Sequence, residues 1–164
     1  MKRRGLLWAA LLTPIVLVLL VVMTSIAIRS SLAMKENGCR KQWERVRNAY
    51  LIRLDLSAQA TLFGGPPAPD ATRLREALGG EDPREVGRIA AEFDAREDSD
   101  FRGRTNLESN EAYLDLQRRL TRARDRISEE RKNYDRLVTE YNAAARALSG
   151  VPGCGRFGQR PTFE

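Results

Sequence analysis

The residues whose types could do chemistry are few. Cys39 and Cys154 lie more than a hundred positions apart, which is not the close spacing of a zinc or redox pair. The chain has no histidine, so the commonest general base and the commonest metal ligand are both missing. Gly64-Gly65-Pro66-Pro67 and Gly79-Gly80 carry no GK[ST] and follow no strand, so neither reads as a phosphate-binding loop. The expectation is a protein without catalytic residues, metal or cofactor. Arg118, Arg119, Arg122 and Arg126 sit close together on one helical stretch and form a candidate interaction surface.

Charge and hydropathy divide the 164 residues sharply. From Gly5 to Ile28 there are 24 residues without a charge. Crossing a bilayer's hydrocarbon layer takes roughly 20 apolar residues in a helix, whereas a secretory signal's apolar core spans only about 7–15. The segment therefore reads as a retained transmembrane anchor. Ser31-Leu32-Ala33 leaves open cleavage after Ala33 and a secreted product. Pro14 lies within the segment, where membrane helices tolerate proline. Lys2, Arg3 and Arg4 favour a cytoplasmic N-terminus and an extracytoplasmic domain, although Arg29, Lys35, Arg40 and Lys41 on the other side weaken that bias.

The net charge of +6 is uneven. Residues 1–50 hold nine Lys and Arg against two Glu, residues 51–110 eight against twelve acids, and residues 111–164 eleven against eight. The first surplus hugs the anchor, where anionic headgroups attract basic side chains. No recognition motif accompanies it, so nucleic acid is not an expected partner.

Beyond the anchor the pattern is helical throughout. Cys39, Trp43, Val46, Tyr50 and Leu54 fall at spacings of three or four within a helix from about Arg40 to Leu62, with Asn37-Gly38 a potential break before it. Gly64 to Pro69 ends it. Asp70 opens a short helix that stops before Gly79-Gly80. Asp82-Pro83-Arg84-Glu85 starts another, with Val86, Ile89, Ala90 and Phe93 as its apolar stripe. Residues 97–105 are charged, contain glycine and read as a loop. Tyr113, Leu120, Ile127, Tyr134, Tyr141 and Leu148 then recur every seven residues, with Leu116, Ala123, Leu137 and Ala144 between them and Glu130 as a misfit. Thr105-x-x-Glu108 and Ser109-Asn110 compete as the start of this long helix; Gly150 and Pro152 stop it. Glu85, Glu92 and Asp94 are candidate partners for Arg119, Arg124, Arg126 and Arg131.

The C-terminal third resembles the LemA family. Leu107-Glu108-Ser109-Asn110-Glu111-Ala112-Tyr113-Leu114-x-Leu116-Gln117 is similar to the segment that opens that family's last helix. Arg124-Asp125-Arg126-Ile127, Tyr134 through Tyr141-Asn142, and the ending Arg160-Pro161-Thr162-Phe163-Glu164 resemble further stretches of it. Upstream, Trp43-Glu44-x-Val46-x-Asn48-x-Tyr50-x-x-Arg53-x-Asp55-Leu56 is similar to its first bundle helix. Ser57-Ala58-Gln59-Ala60-Thr61-Leu62 departs from the family's usual I-P-N-L-V continuation, and the middle is shortened. The resemblance implies a membrane-tethered antiparallel bundle and supplies no catalytic residue.

The expected fold is all-α: a basic tail (1–4), a transmembrane helix (5–28), an antiparallel helical bundle with one long C-terminal helix (34–150), and a C-terminal tail (151–164). In that arrangement Cys39 and Cys154 meet at the membrane-proximal pole and are a candidate disulfide in an oxidising compartment. The expected partners are the lipid bilayer and an unidentified membrane or envelope protein. A second copy paired as a coiled coil, or a subunit that folds only within a larger membrane complex, is the alternative.

Overall fold

The computed structural model describes residues 2–63, 70–102, 110–151 and 154–163. Four α-helices follow in order: α1 (Lys2–Gln59), α2 (Asp70–Gly79), α3 (Pro83–Arg102) and α4 (Glu111–Ala147), with a 3-10 turn at Ala60–Phe63 after α1. The described residues contain no strand, and the all-α expectation holds. The Gly64–Pro69 connection, Thr105, Glu108 and Ser109 lie outside the described residues.

Helix α1 is unbroken: its 58 residues pass through Pro14 and through Asn37-Gly38, so the basic tail, the apolar segment and the first bundle helix are one rod. An added Cβ at Gly38 would meet nothing within 4 Å, so this glycine faces open space and has no turn to make. The C-terminal half of α1 buries Cys39, Trp43, Val46, Tyr50 and Leu54, the stripe that the spacing predicts. Ahead of it, the stretch from Pro14 to Thr24 is bare. Leu17 is 64% exposed and Met23 66%, with Ile15 to Val22 similarly uncovered.

Helix α4 lies antiparallel on α1 and supplies the opposite wall of the core. Its start is fixed by Asn110, whose Oδ1 accepts hydrogen bonds from the N–H groups of Ala112 and Tyr113. Tyr113, Leu116, Leu120, Ala123 and Ile127 are buried in sequence. Beyond them the buried set becomes Tyr134, Val138, Tyr141 and Ala145; Leu137 and Ala144 are only partly covered. The cause is pitch. A straight α-helix drifts about 20° per seven residues, so four repeats turn the stripe by most of one residue's 100° step. Glu130 stops being a misfit at this turnover, because Gln42 of α1 donates to both its carbonyl and its carboxylate.

Helix α3 packs Val86, Ile89, Ala90 and Phe93 into the same core. Asp82 caps it as expected, its Oδ1 accepting from Arg84 N–H, with Pro83 at the first helical position. The helix does not stop before residue 97. It continues to Arg102, so residues 97–102 of the charged stretch read as a loop are helical, while residues 103–105 lie outside the described residues. Charge density misled there, because Glu97 and Asp98 are held by partners on neighbouring helices.

Residues 154–163, read from sequence as a tail, are part of the fold. Helix α4 ends at Ala147 with Leu148 as its C-cap, and backbone bonds from Val151 N–H to Leu148 O, Cys154 N–H to Val151 O and Phe157 N–H to Cys154 O follow before the chain reverses. It then runs back along the bundle. Tyr141 Oη donates to Gly158 O, Asn142 exchanges two hydrogen bonds with Arg160, and Asp135 accepts from Phe163 N–H.

Candidate functional site

Two apolar clusters divide the bundle. The larger runs from Leu32 to Leu54 on α1 and from Ile127 to Ala145 on α4, with α2 and α3 against it. The smaller joins Leu56, Ala60, Leu116, Leu120 and Ala123. Where they meet, the core turns polar. Arg53 is 2% exposed yet occupies a position continuous with the α1 stripe. Its guanidinium pairs with Asp94 and, at 2.7 Å, with Glu97, both on α3, and it lies 5.2 Å from the Phe93 ring centroid. Glu97 also accepts from Ser57 Oγ and, at 2.9 Å, from Arg124 of α4. Arg124 in turn reaches Asp98 at 2.5 Å. One carboxylate therefore ties three helices.

The electrostatics follow from that geometry. Burial alone would raise the Glu97 carboxyl, but hydrogen bonds from Ser57, Arg53 and Arg124 outweigh it and hold Glu97 below its ordinary value. Asp94 goes the other way: burial pushes it up more than Arg53 draws it down. Burial opposes the charge on Arg124, yet its bonds to Glu97 and Asp98 prevail and raise it. Beside this layer an open cleft of about 330 Å³ is bordered by Tyr50, Asp94, Arg124, Arg131 and Lys132. Arg131 lies 4.4 Å from the Phe163 ring centroid. The layer's carboxylates are engaged by arginine and serine, which suits holding helices in register rather than moving protons.

The residues singled out from sequence fall elsewhere. Arg118, Arg119, Arg122 and Arg126 are all exposed, on the part of α4 turned away from the core. Cys39 and Cys154 are both buried in the larger cluster, and both are free thiols. Burial pushes the Cys39 thiol up despite nearby Arg160. The expected pairing of α3 acids with α4 arginines is made in part and with different partners: Arg124 bonds Glu97 and Asp98, Asp94 turns to Arg53 of α1, and Glu92 engages Arg73 and Arg88. Arg53 was legible in principle, as a charge within an apolar stripe. Glu97 was hidden by the loop reading of its segment. Among the described residues, no group of three or more His, Cys, Asp or Glu is placed to hold a metal.

The described residues thus define an all-helical protein whose first helix carries one stretch long and apolar enough to cross a membrane. Residues 104–164 match the model of the LemA family, the span over which the C-terminal resemblance was read. No curated protein and no solved structure matches the chain.

Proposed function

We propose that the whole chain is a LemA-like membrane protein: a helical bundle tethered by α1, without enzymatic activity, that presents a helical surface to other proteins of the cell envelope. One observation carries this reading. The exposed apolar stretch and the first core helix are a single uninterrupted rod, so a bundle on this rod is held beside any membrane the rod enters. The basic residues Lys2, Arg3 and Arg4 support an extracytoplasmic bundle. The exposed arginines of α4 are the surface offered to a partner with acidic side chains.

The alternative, a coiled-coil subunit that folds only with partners, needs an uncovered α4 stripe. That stripe is covered by this chain's own α1, which supports a self-contained bundle. A fragment starting at Arg29, which keeps Leu32 in the core, separates the two readings. Cooperative thermal unfolding of a monomer by analytical ultracentrifugation supports the bundle. A disordered fragment, or one that folds only on association, supports the subunit.

A further inference from the structure

We infer that the corner where α4 passes into the C-terminal segment is a lipid-headgroup surface, which seats on the membrane and takes anionic headgroups. The inference rests on α1 being the anchor. Helix register sets the height of this corner. The antiparallel alignment that puts Trp43 against Tyr134, and Arg53 and Arg124 together on Glu97, brings Leu148 level with Arg29 when continued. The packing agrees, because Ile28 and Leu32 of α1 share a cluster with Leu148, Val151 and Phe157. Ile28 is the last residue of the uncharged segment, and Leu32 lies about 6 Å further along the helix axis. A headgroup layer is roughly 5–8 Å deep on each side of the hydrocarbon. The corner therefore falls within that layer.

Its chemistry suits the position. Lys35, Arg146 and Arg156 are exposed around it, and the Arg156 guanidinium lies 5.0 Å from the Phe157 ring centroid, an apolar body with a charged cap. Glu36, the acid at this level of α1, is bound to Arg160 at 3.3 Å, which leaves the corner basic. Such residues at a membrane surface are drawn to anionic lipids. The chain thus meets the bilayer at a second place more than a hundred residues after its anchor, and that contact fixes the bundle's tilt.

Hydrogen exchange of the full chain in nanodiscs tests this, with phosphatidylcholine alone compared with phosphatidylcholine plus phosphatidylglycerol. Exchange at residues 149–158 is expected to slow at least about fivefold in the anionic discs, the effect of one basic residue held at such a surface. Exchange at the centre of α4 should not change. The double variant Arg146→Glu, Arg156→Glu should lose the slowing while keeping the same exchange in α4. Equal exchange at 149–158 in both lipids overturns the headgroup surface while the protein still co-purifies with the discs. A protein that does not stay with the discs overturns the anchor and this inference together.

Discussion

Trp43 of α1 and Tyr134 of α4 face each other with ring centroids 5.6 Å apart, and Phe163, near the chain's end, stands 5.9 Å from the first and 5.7 Å from the second. A residue from the returning segment thus completes the aromatic centre of the core. A Cβ added at Gly87 would meet Phe163 Cδ1 at 3.4 Å, so the same ring also rests on α3.

Phe163→Ala should lower thermal stability. A fully buried Phe→Ala costs about 3–5 kcal/mol; Phe163 is half-buried, so about 2 kcal/mol is expected. Chemical denaturation of wild type and variant measures it. An unchanged midpoint would mean that the segment adds nothing to the fold.

The Arg53 layer should be costly to break from one side. Arg53→Ala leaves Asp94 and Glu97 without their central partner, and removing one member of a buried pair costs about 3–5 kcal/mol. Acid acts on the same layer. Glu97 titrates lower folded than unfolded, so its contribution is present above the unfolded carboxyl range and is lost as pH falls through the folded value. Asp94, raised on folding, contributes with the opposite sign and offsets part of that loss. The stability gap between wild type and Glu97→Gln should therefore shrink as pH drops from about 5 toward 3. A gap that stays constant across this window would contradict the lowered Glu97.

Substitutions on α4 should separate by face. Ile127→Ala, in the core beside the polar layer, should cost about 2–5 kcal/mol. Arg118→Ala, on the exposed face, should stay within about 0.5 kcal/mol. Equal losses of melting temperature would place the stripe on the wrong side.

The sequence made the existence and order of the helices legible, because apolar spacing and caps act locally. Asn110 and Asp82 were readable as caps, and Val86, Ile89 and Phe93 as a buried stripe. What it concealed depends on partners distant in the chain. Glu97 looks like a loop charge until Arg53, Ser57 and Arg124 surround it. The segment from Cys154 to Phe163 has no periodicity, since beyond Phe157 its bonds run to Asp135, Tyr141 and Asn142 of α4 rather than along itself. The drift from Leu137 to Val138 and from Ala144 to Ala145 is small per turn and matters only over a helix of 37 residues.

The two thiols should be inert in the folded protein. Both are buried, and burial raises the Cys39 thiol, which reduces the reactive thiolate. Iodoacetamide at neutral pH should modify neither until denaturant is added. Without reductant, both should then react, as free thiols do. Failure of both to react after denaturation would instead mean that Cys39 and Cys154 are bridged.

The central claim is that the uncharged stretch of α1 holds this bundle to a membrane, and alkaline carbonate extraction tests it most directly. Full-length protein should stay in the membrane pellet, and a variant lacking residues 5–28 should pass to the supernatant. Both properties follow from 24 uncharged residues, of which Ile15 to Met23 find no cover within the bundle. Release of the intact full-length chain by carbonate would contradict the account.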